Sequence, residues 1–155
     1  MEMSLSDFLP DGAIVTQAQA NDWREAVEFA GAALVVQGVA TEAYTADMIK
    51  TVEDLGPYIV LAPGFALAHA RPSSSVLKNG ISWVSLAKPV PFGNVANDPV
   101  SLVIGLAALN HDDHLDIMAA LAELLQDGDT LTTAIGAKTP QEVRETLASL
   151  ATNGS

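Results

Sequence analysis

Apolar residues recur at helical spacing through the first third of the chain and then give way to short, dense runs. Trp23, Ala26, Val27, Ala30 and Leu34 fall on one face of a helix that Asn21-Asp22 can cap and Gly38 would end. A second helix is predicted from Thr41, with Tyr44, Met48, Val52 and Leu55 as its inward stripe, stopping at Gly56-Pro57. Residues 58–61, 65–71, 81–86 and 100–108 are short apolar or alternating stretches parted by Pro, Gly, Ser and Asn, and they read as strands. Helical period returns over residues 110–126, with Leu115, Met118, Ala122 and Leu125 expected inward. Thr139-Pro140-Gln141-Glu142 has the form of a capping box with proline at the first helical position, and opens a last helix through Leu150.

Helices at both ends of a strand-rich centre predict an α/β fold, a single-domain sandwich in which a mixed central sheet is flanked by helices. The domain is expected over residues 1–150, with 151–155 as a short C-terminal tail. A chain of 155 residues can bury one sizeable core, and no linker, repeat or low-complexity tract divides it.

Charge and composition remove several function classes. Seven basic residues stand against nineteen acidic ones, for a formal net charge of −12, and the basic residues are scattered singly. No cluster is available to neutralise a run of phosphates, so nucleic-acid binding is not expected. An acidic surface favours encounter with a basic-rimmed protein instead. The absence of cysteine excludes disulfides, thiolate zinc sites and a cysteine nucleophile. The opening residues carry neither a positive flank nor an apolar run, and the longest mainly apolar stretch, residues 100–109, is too short to span a bilayer. A cytoplasmic, non-membrane protein is the expectation.

Three histidines dominate the chemistry available. His69 lies in the run Pro63-Gly-Phe-Ala-Leu-Ala-His-Ala-Arg-Pro72, where alternation sets Phe65, Leu67, His69 and Arg71 on one strand face and Ala66, Ala68 and Ala70 on the other. The imidazole is thereby expected at the C-terminal end of a strand, beside a guanidinium, where ligands of α/β proteins gather. A buried structural histidine bonded to backbone explains the same pattern. His111-Asp-Asp-His114 opens the third helix; its two histidines can share a face, and Asp112, Asp113 and Asp116 suit a helix N-terminus. An acidic first turn with incidental histidines is the plainer explanation. His69, His114 and an aspartate offer metal-ligand types without a ligand-spacing signature. No nucleotide loop, dinucleotide fingerprint or serine elbow is present, so no cofactor is called for, and Ser73-Ser74-Ser75 lacks a visible base partner.

Taken together, these segments resemble a known family. His69-Ala-Arg-Pro72 is similar to the phosphohistidine motif of the mannitol/fructose-type IIA components of the phosphoenolpyruvate-dependent phosphotransferase system. Lys88-Pro-Val-Pro-Phe-Gly-Asn94, followed by Asn97-Asp-Pro-Val100 and an apolar strand, resembles that family's second signature, and His114-Leu115 its third. Residues 58–72 and the Phe-Gly-Asn segment look closest to the ascorbate-type branch. The resemblance implies that His69 accepts a phosphoryl group from the histidine carrier HPr and passes it to a cysteine of a IIB component. The membrane-embedded IIC takes part only indirectly. It further implies that His114 donates a hydrogen bond to the phosphoryl oxygens, and that the imported sugar is L-ascorbate, with fructose, mannitol or galactitol as the alternatives.

Two positions depart from the family pattern. Ala68 stands where a proline usually precedes the active histidine, and Thr51 stands near the arginine of mannitol-type members, with Lys50 about a third of a turn away. Arg71 is the candidate to stabilise the phosphoryl group in that arginine's place. A regulatory phosphoprotein of the same fold, or a metal-dependent enzyme built on His69 and His114, are the alternatives. The first would be phosphorylated without onward transfer; the second would carry stoichiometric metal.

Overall fold

The computed structural model describes Leu9, residues 11–57 and residues 59–153. Tyr58, the opening residues 1–7 and the last two positions of the expected tail lie outside the described residues. After a 3-10 turn over Asp11–Ala13 come strand β1 (Ile14–Ala18) and helices α1 (Trp23–Val36) and α2 (Glu42–Leu55). Strands β2 (Val60–Ala62), β3 (Phe65–Ala68), β4 (Gly80–Val90) and β5 (Val100–Ala107) follow. Helices α3 (His111–Gln126), α4 (Gly128–Gly136) and α5 (Pro140–Asn153) complete the chain.

The strands form one mixed sheet in the order β1-β4-β5-β3-β2. The β1–β4 and β3–β5 pairs are parallel; β4–β5 and β2–β3 are antiparallel. Alternating side chains divide the core in two. Ala66, Ala68, Val84 and Val103 face α1 and α2, where Ala26, Val27, Ala30, Leu34, Tyr44, Met48 and Val52 are buried. Phe65, Leu67, Ile81, Trp83, Leu102, Ile104 and Leu106 face the other way, against Ile117, Leu121 and Leu124 of α3, Ala134 of α4 and Val143 and Leu147 of α5. Helices cover both faces of a mixed sheet, as the sequence pattern predicts.

Local chemistry explains the helix ends. The Asp22 carboxylate accepts from the Glu25 amide at 2.9 Å and starts α1. Thr139 accepts from the Glu142 amide at 3.2 Å, and Glu142 reaches back to the Lys138 amide at 3.0 Å, so the expected capping box forms one residue wider than its usual reciprocal shape.

Several expectations need correction. Strand β1 precedes the first helix and has only Ile14 and Ala18 fully buried, too weak an alternation to read. Helix α4 buries Ala134 alone among its residues, and its glycines and threonines hide its period. Leu55 is not inward: it ends α2 with 68% of its surface exposed. The third helix is turned relative to expectation, with Leu115 and Ala122 exposed, Met118 and Leu125 half-buried, and Ile117, Leu121 and Leu124 packed on the sheet. Two adjacent apolar stripes run along this helix, and only packing decides between them. Strand β3 stops at Ala68, not Arg71, and α5 runs three residues past Leu150 to Asn153.

Candidate functional site

Because β3 and β5 are parallel, Ala68 and Ala107 end them on the same edge of the sheet, beside the start of β4 at Gly80. His69 follows directly on β3, and α3 begins four residues after β5. The two histidine segments are separate in sequence and converge here. The rings of His69 and His114 lie 5.6 Å apart between centroids, inclined at 50°.

The turned orientation of α3 is what allows this. His114 lies three and seven residues before Ile117 and Leu121, on the same helical face, so packing those two against the sheet carries His114 inward. Burial pushes the His114 pKa down from 6.5, and the neighbouring His69 and His111 push it the same way. His114 is therefore neutral around pH 7, with one N–H donor. His111 stacks on it at 6.5 Å with the rings nearly parallel.

The tautomer of His69 follows from its surroundings. Nδ1 lies 2.9 Å from the carbonyl oxygen of Leu67. A carbonyl only accepts, so in the neutral ring the proton sits on Nδ1 and the nucleophilic lone pair on Nε2. The adjacent residue is anchored as well. The Tyr44 hydroxyl, 1% exposed on α2, accepts from the Ala70 amide at 3.1 Å and donates to the Leu106 carbonyl at 2.7 Å. Burial pushes the Tyr44 pKa up to about 12, so the hydroxyl keeps its proton.

The start of α3 is pinned to the sheet. Asn110 caps it by accepting from the Asp113 amide at 2.8 Å, and Asp113 in turn accepts from the Asn79 side chain at 2.9 Å. The Asn79 side-chain oxygen Oδ1 accepts from the Leu109 amide at 2.7 Å. Nothing in the sequence pattern marks Asn79, since its role is set by a contact thirty or more positions away.

His69, His111 and His114 line an open cleft of about 470 Å³, whose other wall is the α2 face bearing Asp47, Lys50, Thr51, Asp54 and Leu55. Arg71 lines it too, but from the exposed loop beyond β3, so the expected shared strand face with His69 does not form. Lys50, about a third of a turn from Thr51, lines the cleft beside it. The residues Lys88-Pro-Val-Pro-Phe-Gly-Asn94 do not line it; they end β4 and begin its connection to β5 at the opposite end of the sheet. There, Asp98 accepts from the Phe92 and Gly93 amides at 3.0 and 2.8 Å, giving that segment an architectural role. Among the described residues no group of three or more His, Cys, Asp or Glu side chains converges to hold a metal ion, so the metal-centre alternative lacks a third ligand. No helix of the described residues is long and apolar enough to cross a membrane.

The fold and the family it matches make this chain a phosphotransfer component of a sugar phosphotransferase system. Residues 7–150 match the family described as the phosphoenolpyruvate-dependent sugar phosphotransferase system, EIIA 2, and the chain belongs to that family. It is 36% identical to the ascorbate-specific PTS system EIIA component of Salmonella typhimurium, over 94% of this chain and 96% of the relative. The solution structure of the mannitol-specific cryptic phosphotransferase enzyme IIA from Escherichia coli superposes with a TM-score of 0.84 at 34% identity, covering 94% of this chain and 99% of that one. A complex of the Escherichia coli mannitol enzyme IIA with phosphorylated enzyme IIB matches with a TM-score of 0.80 at 29% identity, over 91% and 97% of the two chains.

Proposed function

We propose that His69 is the phosphoryl acceptor, taking the group from phosphorylated HPr on Nε2 and delivering it to a cysteine of a IIB component in the cytoplasm. The observation that carries this reading is the 2.9 Å contact from His69 Nδ1 to the Leu67 carbonyl, which leaves the nucleophilic lone pair on Nε2. In the accepting step, that lone pair forms a bond to phosphorus as the donor's N–P bond breaks, and the donor imidazole keeps the electron pair. The His69 ring then has Nδ1–H and a phosphorylated Nε2, and becomes cationic. The Leu67 carbonyl accepts a stronger, charge-assisted bond at that moment. In the delivering step a thiolate attacks phosphorus, and the P–N electron pair returns to Nε2.

Phosphoryl transfer needs positioning and charge stabilisation more than covalent help. His114 supplies a neutral donor at the start of α3, where the helix dipole also favours phosphoryl oxygens. Arg71 and Lys50 are the cations of the cleft, and Arg71 offers the multi-donor geometry that phosphate oxygens favour. The exposed Leu55 lines the cleft and suits apolar contact with a partner, while the −12 chain favours encounter with a basic-rimmed protein. L-Ascorbate is the sugar favoured by the ascorbate-type relative; selection among sugars belongs to the membrane component.

The test is direct labelling. Incubated with phosphoenolpyruvate, enzyme I and HPr, the protein gains a single acid-labile, base-stable phosphoryl group. His69→Ala stays folded and takes none. Full labelling of that variant overturns the assignment.

A further inference from the structure

The parallel β3–β5 ladder has a fixed rhythm. The Leu102 amide donates to the Gly64 carbonyl, and the register pairs Ala66 with Val103 and Ala68 with Gly105. In a parallel pair this alternation makes the next rungs fall from the amides of residues 66, 68 and 70 to the carbonyls of 102, 104 and 106. The last rung, from Ala70 to Leu106, is not made directly. The Tyr44 hydroxyl occupies it, accepting from the Ala70 amide at 3.1 Å and donating to the Leu106 carbonyl at 2.7 Å. A second contact to the Ala70 carbonyl, at 3.2 Å, fastens the same oxygen to the same residue.

We propose that Tyr44 is the positioning residue of the phosphoryl acceptor: its hydroxyl, inserted as a spacer in the final β3–β5 rung, holds the strands apart and sets where His69 points. The proposal rests on the reading of His69 as acceptor. A direct N–H···O=C rung brings nitrogen and oxygen to about 2.9–3.0 Å, whereas two hydrogen bonds through a hydroxyl hold them farther apart. β3 is therefore prised from β5 at the point where it must stop being a strand. His69 lies between Ala68, the last paired residue, and Ala70, which the phenol holds. With both flanks fastened, its Nδ1 can turn back to the Leu67 carbonyl while Nε2 is presented to the cleft. The tyrosine is well made for this. Its ring is packed in the α1–α2 core, its hydroxyl is fully inside, and a buried phenol demands partners for both its proton and its lone pair.

Tyr44→Phe removes the spacer and keeps the ring. The Ala70 and Leu106 groups then either close into a direct rung, dragging His69 toward β5, or lose their partner. A displacement of about 1 Å at a reacting group is enough to slow transfer about 10²-fold. The expected result is a Tyr44→Phe protein that folds and is phosphorylated about 10²-fold more slowly at saturating HPr, with KM for HPr little changed. Its His69 ring nitrogens, read by nitrogen NMR, should shift from a single Nδ1–H tautomer toward a mixture. Val52→Ala, in the same buried stripe of α2 but about two turns beyond Tyr44, is the control for lost stability and should transfer at the wild-type rate. Unchanged His69 nitrogen signals and rate in Tyr44→Phe, or equal slowing in Val52→Ala, overturns the proposal. One measurement needs no variant: the Ala70 amide of the wild-type protein should resist hydrogen exchange as the sheet interior does. Exchange as fast as an exposed loop overturns the proposal. Failure of wild-type protein to be phosphorylated would remove His69 as acceptor, while the tautomer and exchange measurements would still decide what Tyr44 does.

Discussion

Gly105→Ala tests how closely the sheet beneath the site is packed. Gly105 lies on β5 between Ala68 of β3 and Ser82 of β4. A methyl group there would overlap Ser82 Oγ and stand 3.3 Å from both Cβ and the carbonyl oxygen of Ala30 on α1. Ser82 cannot move away freely, because its fully buried hydroxyl donates to that same Ala30 carbonyl at 2.8 Å. Admitting the methyl displaces the hydroxyl and leaves a buried polar group short of its partner, at about 1–3 kcal/mol. Overpacking against the α1 backbone adds about 1–3 kcal/mol. Against this, alanine in place of glycine recovers about 0.5–1 kcal/mol of backbone entropy. The net expectation is a loss of about 1–5 kcal/mol, core overpacking combined with a lost buried bond. Urea unfolding followed by the buried Trp83 measures it. Ser82→Ala alone should cost about 1 kcal/mol, and in the double variant the two losses should fall short of their sum by about 1 kcal/mol or more, since the overlap is gone. The new methyl points to α1, and neither Gly105 nor Ser82 lines the cleft, so labelling per folded molecule should be unchanged. A stability within about 0.5 kcal/mol of wild type, or strictly additive losses, would show that the α1–sheet contact is looser than this reasoning requires.

Three further outcomes follow from the cleft. His114→Ala should still be phosphorylated, but exchange its group about 10²–10³-fold more slowly, the usual effect of losing a donor to developing charge; wild-type transfer kinetics to IIB would remove His114 from the site. Because the folded pKa of His114 lies below 6.5, its contribution to stability is present above the unfolded value and lost as pH falls through the folded one. Urea midpoints should therefore drop more steeply on acidification in the wild-type protein than in His114→Gln, and parallel curves would contradict the depressed pKa. Arg71→Lys should slow both acceptance and delivery, with Tm nearly unchanged because the side chain is exposed; unaltered transfer in both directions by Arg71→Ala would leave charge stabilisation to the other groups of the cleft.

The helical stripe of α1, most of that of α2, the alternation through residues 65–68 and the capping residues Asp22 and Thr139 could all be read directly, because each depends on neighbours within a few positions. So could the mixed sheet with helices on both faces, and the two histidines worth watching. The limits were also physical. In residues 111–126 two apolar stripes lie side by side, and local periodicity cannot say which one meets the sheet; the choice of Ile117, Leu121 and Leu124 is made by packing, and it is this choice that turns His114 toward His69. The end of β3 was equally unreadable, since it is set by a tyrosine hydroxyl twenty-six positions earlier that takes the place of a backbone rung. Which residues are apolar, which can cap and which can carry a phosphoryl group is determined along the chain by side-chain chemistry. Where the strand stops, which helix face turns inward and which histidines meet is decided only by tertiary structure, because those outcomes depend on contacts between segments that no local pattern contains.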